Sequence, residues 1–333
     1  MASLAEIRAR IAAQENKSTK GNFTQSDNAI YAHWNMPEGT SASVRFLPDG
    51  NANNTFFWVE RQLIKLPFNG VKGDSNVKQV VVQVPCVEMY NDGATCPILA
   101  EVRPWYKDES LKEMANKYWK KRSYFFQGFV RTNPIGDDKV PANPIRRFVI
   151  SSQIFTIIKS SLMDPEIQEL PTDYVRGLDF TIRKTTKGNY ADYSTSNWSR
   201  RETPLTEAEQ AAINSHGLFN LTDFLPKRPS EAELKIIKEM FDASVDGQPY
   251  DNERWGNYYR PFGIDAPSNS NAGAAEQNAM TGNQASAKAL SVESASQSDE
   301  PSTASQPVSV PASPSSDKAQ DILALIRARQ KIA

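Results

Sequence analysis

The chain has 333 residues, enough for one large or two ordinary domains, and a formal net charge of only −1. Residues 117–201 nevertheless contain 15 Lys and Arg against 8 Asp and Glu, which predicts a local polyanion site. No apolar run reaches the roughly 18 residues of a membrane span, and the N-terminus lacks a signal-peptide core. Two cysteines do not make a disulfide framework, so we expect a soluble, intracellular protein without membrane contact.

Residues 1–20 predict a short helical arm. Ser3 and Glu6 have the spacing of a capping box, and the apolar residues that follow recur on one helical face. A helix this short is marginal alone, so we expect it to dock on another surface. A frayed terminus is the alternative interpretation.

Residues 21–100 alternate in the manner of β-strands. The segments SASVRFLPDG, TFFWVERQLIKLPF and VKQVVVQVPCVEMY read as three strands separated by turn sequences. Short strands at this spacing predict a barrel or a sandwich. Residues 104–120 then change to a helical period.

The stretch from Lys117 to Arg131 interleaves five cations with six aromatic rings and reads KYWKKRSYFFQGFVR. Cations bind a sugar-phosphate backbone, and aromatic faces stack on unpaired bases. Strand alternation would place Tyr124 and Phe126 on one face for stacking while the other face packs inward. An ordinary core strand with a solvated basic start is the alternative.

The remainder of the core contains a second basic-aromatic cluster. Arg146 and Arg147 begin the apolar segment RRFVISSQIFTIIKSSL, which reads as a strand. Residues 171–201 mix further cations with tyrosine and tryptophan, and residues 202–263 predict helices that begin with capping boxes. We therefore expect one folded core over residues 21–263.

The last part of the chain changes composition. Residues 264–318 are rich in Ser, Ala, Asn, Gln and Pro and predict a disordered linker. Residues 319–333 return to an amphipathic pattern and predict an interaction segment. There Ile326–Arg329 repeats Ile7–Arg10 letter for letter, either by chance or because both ends bind one kind of surface.

Motifs of catalysis are sparse in this sequence. It has no GxxxxGK[ST] phosphate loop, no GxGxxG and no GxSxG. The two histidines, His33 and His216, lie far from both cysteines in sequence. We expect a protein that is not an enzyme, with a nuclease built from scattered carboxylates as a minor alternative.

Four segments in the same order resemble the single-stranded DNA-binding, helix-destabilising proteins of T-even-type bacteriophages. They are SVRFLP at 43–48, the pair Cys86 and Cys96-Pro97, KKRSYFF at 120–126 and KGNYADYSTSNW at 187–198. The similarity covers roughly residues 1–240. It implies an OB-fold core with an attached subdomain and a basic, aromatic-lined cleft.

The predicted DNA-binding residues come from both arguments. The resemblance implies that the cleft contains Lys120, Lys121, Arg122, Tyr124, Phe125 and Tyr190, with Tyr106 and Tyr118 as neighbours. The residue pattern adds Arg131, Arg146, Arg147, Lys184, Lys187 and Trp198. The family's basic arm gives cooperative self-association, which by position and charge implies that role for Arg8, Arg10, Lys17 and Lys20.

Two departures from the family change its implications. The resemblance implies structural zinc held by three cysteines and a histidine, but Leu99 stands where the third cysteine is expected and the strand VERQLIKL has no histidine. Tetrahedral zinc needs four ligands, so we expect Cys86 and Cys96 to be a remnant and the protein to have no cofactor. The family's C-terminus is strongly acidic, whereas this one ends in a basic segment. We expect that segment to compete with the N-terminal arm for its docking surface.

The sequence therefore predicts a protein that coats single-stranded DNA cooperatively, with little sequence preference, during phage replication, recombination and repair. Its expected location is the cytoplasm of the infected bacterial cell, and its expected partners are replication and recombination proteins bound by the tail. An RNA-binding regulator using the same surface is the alternative, because stacking and phosphate contacts barely distinguish the two sugars. A protein-docking scaffold is a third interpretation.

Overall fold

A computed structural model describes residues 29–74, 79–90, 93–136, 138–165 and 169–265. The predicted arm over residues 1–20 and the segment over 319–333 lie outside these residues. All but the first two residues of the predicted linker lie outside them as well. Within the described residues, every helix is too short or too polar to cross a membrane.

The described residues form nine strands and six α-helices. The strands are β1 (Ser41–Phe46), β2 (Val59–Phe68), β3 (Val80–Pro85), β4 (Lys121–Thr132), β5 (Arg146–Ser151), β6 (Phe180–Arg183), β7 (Thr185–Lys187), β8 (Tyr190–Asp192) and β9 (Asn197–Trp198). The helices are α1 (Pro97–Trp105), α2 (Lys112–Tyr118), α3 (Ser152–Leu162), α4 (Glu207–His216), α5 (Glu231–Val245) and α6 (Asn252–Trp255). Short 3-10 turns lie at His33–Asn35, Val87–Tyr90, Glu109–Leu111 and Leu221–Phe224.

Seven strands form one antiparallel sheet in the order β3-β2-β4-β1-β6-β9, with β5 paired to β4. Strands β7 and β8 form a separate hairpin, which we call the β7–β8 hairpin. Helix α1 packs on α2 and on α5, and both α2 and α5 pack on β2. The prediction of a mainly β architecture with added helices is confirmed.

Strand β4 is hydrogen-bonded on both edges. Its first half pairs with β2 and its second half with β1, while β5 pairs with its other edge. Gly128 sits where β1 crosses closely, and a Cβ atom there would overlap the backbone of Arg45 and Phe46. The strand that the sequence singled out for its surface aromatics is therefore the centre of the sheet.

Both faces of β4 are covered, so the predicted alternation of exposed and inward residues is wrong. Tyr124 and Phe126 pack into a cluster with Phe46, whose ring centroid lies 4.8 Å from that of Phe126. Phe125 enters another cluster with Val149. Residues 123–129 of β4 are buried on both faces, because helix α3 packs on one face through Phe155 and the turn Leu221–Phe224 packs on the other through Phe224.

The apolar segment from Arg146 is another correction. It was predicted as one strand, but β5 ends at Ser151 and helix α3 follows at once. The Ser151 side chain caps the helix by accepting a hydrogen bond from the Ile154 amide at 3.5 Å. A short apolar run does not distinguish a buried strand from a buried helix, and here the serine pair marks the change.

Two arginines lie in the interior without having been predicted there. Arg45 donates to the backbone carbonyls of Pro171, Asp173 and Leu178, which ties the segment before β6 to the sheet. Arg61 donates through Nε to Ser123 Oγ at 3.1 Å, and burial lowers the pKa of its guanidinium to about 9. Both arginines therefore serve the fold, not the surface charge.

Burial of His33 predicts a pH-dependent stability. Its ring packs edge-on against Trp34 and Tyr193, and burial, with a contribution from Lys184, lowers its pKa to about 4. The unfolded chain takes up this proton near its ordinary pKa of about 6.5, so acid favours unfolding between these values. We expect this histidine to remove up to about 3 kcal/mol of stability as pH falls from about 6.5 to 4.

Denaturant unfolding at several pH values, on the wild-type chain and a His33→Phe variant, measures this effect. The difference in slope between the two proteins isolates the histidine from the carboxylates. Equal pH dependence in both proteins would contradict the prediction.

Candidate nucleic-acid interface

Most of the aromatic rings predicted to stack on DNA lie inside the protein. Tyr124 is buried and its ring stacks on Phe155 with centroids 3.5 Å apart. Phe125, Tyr118 and Trp198 are also buried, and the Tyr118 hydroxyl lies 3.1 Å from Ser244 Oγ. These assignments to the DNA surface are corrected: the rings pack the core and have no face for a base.

Several of the predicted cations are held by partners within the fold. Arg131 binds Asp179 at 2.9 Å and Glu209 at 2.8 Å, and the buried Arg146 binds Asp138 at 2.9 Å. Three more predicted cations have partners: Lys120 pairs with Glu88 at 3.0 Å, the Arg147 guanidinium lies 3.8 Å from the centroid of the Phe224 ring, and Lys184 donates to the Trp34 carbonyl at 2.7 Å. Part of the excess positive charge of residues 117–201 is therefore engaged in contacts within the protein and does not form a basic surface.

A smaller set of predicted residues reaches the surface. Arg122 is exposed, with its Nε 3.4 Å from Glu60 Oε1, and Lys187 and Tyr190 are exposed on the β7–β8 hairpin. Lys121 and Tyr106 are half-buried, and both contact Asn116.

The sequence prediction missed an open groove of about 480 Å³ beside β2, which we call the aromatic groove. Its wall includes Phe56, a residue that is 57% exposed, and Trp58, and the centroids of the two rings lie 4.8 Å apart. The remaining lining is mostly polar and comprises Asn51, Asn53, Asn54, Val59, Glu60, Gln62, Met89, Thr222 and Leu225.

The ring of Phe56 is presented by a loop that hydrogen bonds hold in shape. Asp49 accepts from the Asn51 amide at 3.1 Å, from Asn54 Nδ2 at 2.7 Å and from the Leu221 amide at 2.9 Å. Asn54 in turn accepts from the Phe56 amide at 3.0 Å. Because the loop is already held in one conformation, a ligand that stacks on Phe56 loses less conformational entropy of the protein on binding.

The three consecutive aromatic residues at positions 56–58 are the sequence feature from which this site could have been predicted. Phe57 is buried, so strand-like alternation leaves Phe56 and Trp58 on the opposite side. Trp58 continues inward to Phe155, with centroids 5.3 Å apart, and Phe155 stacks on Tyr124. The groove is therefore the outer end of a ladder of rings that starts in the core.

The first turn of helix α3 joins the groove region to the β7–β8 hairpin. The Ser152 hydroxyl donates to the Arg122 carbonyl at 3.4 Å, and Gln153 Nε2 donates to Asp192 Oδ1 at 2.6 Å. The Tyr193 amide returns a bond to Gln153 Oε1 at 3.1 Å. These contacts connect Arg122 to the hairpin that presents Lys187 and Tyr190.

Cys86 and Cys96 lie together in the core beneath helix α1. The Cys86 thiol donates a hydrogen bond toward Cys96, which with burial raises the pKa of Cys86. Among the described residues, no group of three or more His, Cys, Asp or Glu side chains could hold a metal. The described donors do not fit four-coordinate zinc, since Leu99 packs in the apolar core and His33 lies against Trp34 and Tyr193.

No protein-family model matches the chain, and a search of curated proteins finds no match either. The resemblance in the sequence therefore stays a prediction.

Proposed function

We propose that this protein binds single-stranded nucleic acid, foremost single-stranded DNA, without catalysing a reaction. The observation that carries the proposal is the exposed ring of Phe56, which contacts the tilted ring of Trp58 in an open groove. A base in a duplex is already stacked and cannot use such a ring, whereas an unpaired base can. The groove thus favours single strands over duplex.

Nearby cations support a path for the phosphate backbone. Arg122 lies beside Glu60 at the groove, and the hairpin that bears Lys187 and Tyr190 is connected to it through helix α3. Phosphate contacts of this kind carry no sequence information. Binding should therefore be mainly independent of sequence and sensitive to salt.

The family resemblance extends the proposal beyond the groove. It supports an OB-fold core with an attached subdomain, cooperative coating through residues 1–20, and recruitment of replication and recombination proteins through the tail. It also supports a role in phage replication, recombination and repair within the infected bacterial cell. Each of these is proposed on the resemblance and on the order of its segments.

The test is a fluorescence titration of the full chain with unstructured oligo-dT, duplex DNA and oligo-U at several salt concentrations. We expect quenching of Trp58 by oligo-dT, weak binding of duplex, and an affinity that falls linearly in log salt. Tighter binding of oligo-U than of oligo-dT would instead favour the RNA regulator. No quenching at low salt would contradict the proposal.

Arg122 provides a prediction about the phosphate contacts. We expect Arg122→Gln to weaken oligo-dT binding and to reduce the salt slope by about one, as loss of one phosphate contact should. Arg176→Gln is the matched control, because Arg176 is an exposed arginine paired with Glu169 and Glu202 on another loop. Identical slopes in both variants would remove Arg122 from the phosphate path.

A further inference from the structure

Glu60 is an unusual residue for a DNA-binding groove, since a carboxylate repels phosphate. Its side chain is 36% exposed at the wall of the aromatic groove. Both of its described contacts are made by one oxygen: Oε1 accepts from Gln62 Nε2 at 2.7 Å and lies 3.4 Å from Arg122 Nε. Among the described residues, Oε2 has no hydrogen-bond or ion-pair partner.

Gln62 adds a second acceptor at the same place. Its side chain lines the groove, and its amide oxygen is buried without a hydrogen-bond partner among the described residues. A buried acceptor without a donor is costly, which makes an incoming N–H group favourable there. Glu60 Oε2 and Gln62 Oε1 thus form an acceptor pair beside the rings of Phe56 and Trp58.

The hydrogen-bonding groups of the four bases decide which base suits the acceptor pair of Glu60 and Gln62. Guanine presents two adjacent donors on its Watson–Crick edge, N1–H and the 2-amino group. Adenine and cytosine place an unprotonated ring nitrogen beside their amino group, and thymine places its single N–H between two carbonyls. A carboxylate accepts hydrogen bonds only, so it is repelled by each of those acceptors.

We propose that the aromatic groove is a guanine-selective subsite, in which Glu60 and Gln62 accept from the base edge while the base stacks on Phe56. Arg122 offsets the charge of Glu60 and occupies Oε1, which leaves Oε2 for the base. The inference rests on the proposed function and adds a preference at one nucleotide of an otherwise sequence-tolerant strand. The same edge would be read in an unpaired base alone.

The experiment compares dT oligonucleotides of about 10 nucleotides, short enough for one protein, that carry one central dG, dI, dA or dC. We expect the full-length wild-type chain to bind the dG oligonucleotide about tenfold more tightly than plain dT. Inosine keeps N1–H and lacks the 2-amino group, so dI should fall between dG and dT.

Glu60→Gln should bring the dG-to-dT affinity ratio close to one. An amide has a single acceptor oxygen, so an oxygen that keeps the contacts with Gln62 and Arg122 leaves an NH2 group, which cannot accept from the base, in place of Oε2. Glu202→Gln is the control, since Glu202 is an exposed carboxylate paired with Arg176 away from the groove. This variant should keep the wild-type ratio. The inosine series in the wild-type chain tests the inference independently of any variant's folding.

Binding of plain dT with no preference for dG, or a preference that survives Glu60→Gln, would overturn the guanine subsite alone. Binding of none of the oligonucleotides would overturn the proposed function and the subsite with it.

Discussion

Replacing Phe56 by alanine and Trp58 by leucine together should lower the affinity for oligo-dT by at least about 30-fold. Stacking of a base on an aromatic side chain contributes about 1–3 kcal/mol by alanine substitution, and the two rings provide the wall of the groove. The ring of Phe56 is mostly exposed, so its loss costs the fold little. Leucine at Trp58 retains apolar contact with Phe155.

Fluorescence anisotropy of a labelled oligo-dT measures this affinity without depending on tryptophan emission. Phe262→Ala is the matched control, because Phe262 is 52% exposed and does not line the groove. We expect the control to bind like the wild-type chain. Equal loss in both proteins, or no loss in the groove variant, would contradict the placement of the site.

Replacing Gly128 by alanine should destabilise the protein by more than about 3 kcal/mol. The added Cβ would overlap the Arg45 carbonyl and approach Phe46 Cα, and both of these are backbone atoms. Neither can turn aside as a side chain can, because Gly128 pairs with β1 on one edge and β5 on the other. Relief would require separating central strands.

Circular dichroism during urea unfolding measures the effect, with Gly136→Ala as the control. Gly136 has open space where its Cβ would be placed, so the control should unfold like the wild-type chain. A Gly128→Ala protein within about 1 kcal/mol of wild type would show that β1 and β4 lie farther apart than described.

Local structure was largely within reach of the sequence. The capping boxes at Thr206 with Glu209 and at Ser230 with Glu233 were predicted, and each begins a helix through reciprocal hydrogen bonds. Such caps involve residues three apart, so local pattern is sufficient to find them. The helix predicted over residues 104–120 is instead two helices separated by a turn.

The position of β4 could not be read from its own residues. Its aromatic content fits a binding face and a core strand equally well, and pairing on both edges decides between them. The same limit applies to charge, since Arg131 meets Glu209, 78 residues away. Counting charges along a segment placed Arg131 on the surface, whereas in the fold it pairs with acidic residues from distant parts of the chain.

Part of the candidate nucleic-acid interface could be predicted from the sequence. Tyr190 and Lys187 remain exposed as predicted, because a hairpin outside the main sheet has no layer above it. Phe56 was not predicted as a binding residue, because the segment TFFWVERQLIKLPF reads as an ordinary β-strand. The run of three aromatics after an asparagine-rich turn is the feature that would have identified it.

Photo-crosslinking tests the central claim most directly. A 5-iododeoxyuridine oligonucleotide is irradiated with the full chain, and the modified peptides are mapped by mass spectrometry. We predict adducts on Phe56 or Trp58 and on Tyr190, all removed by excess unlabelled oligo-dT. Competed adducts confined to other surfaces, or no competed adducts at all, would contradict a single-strand site at the aromatic groove.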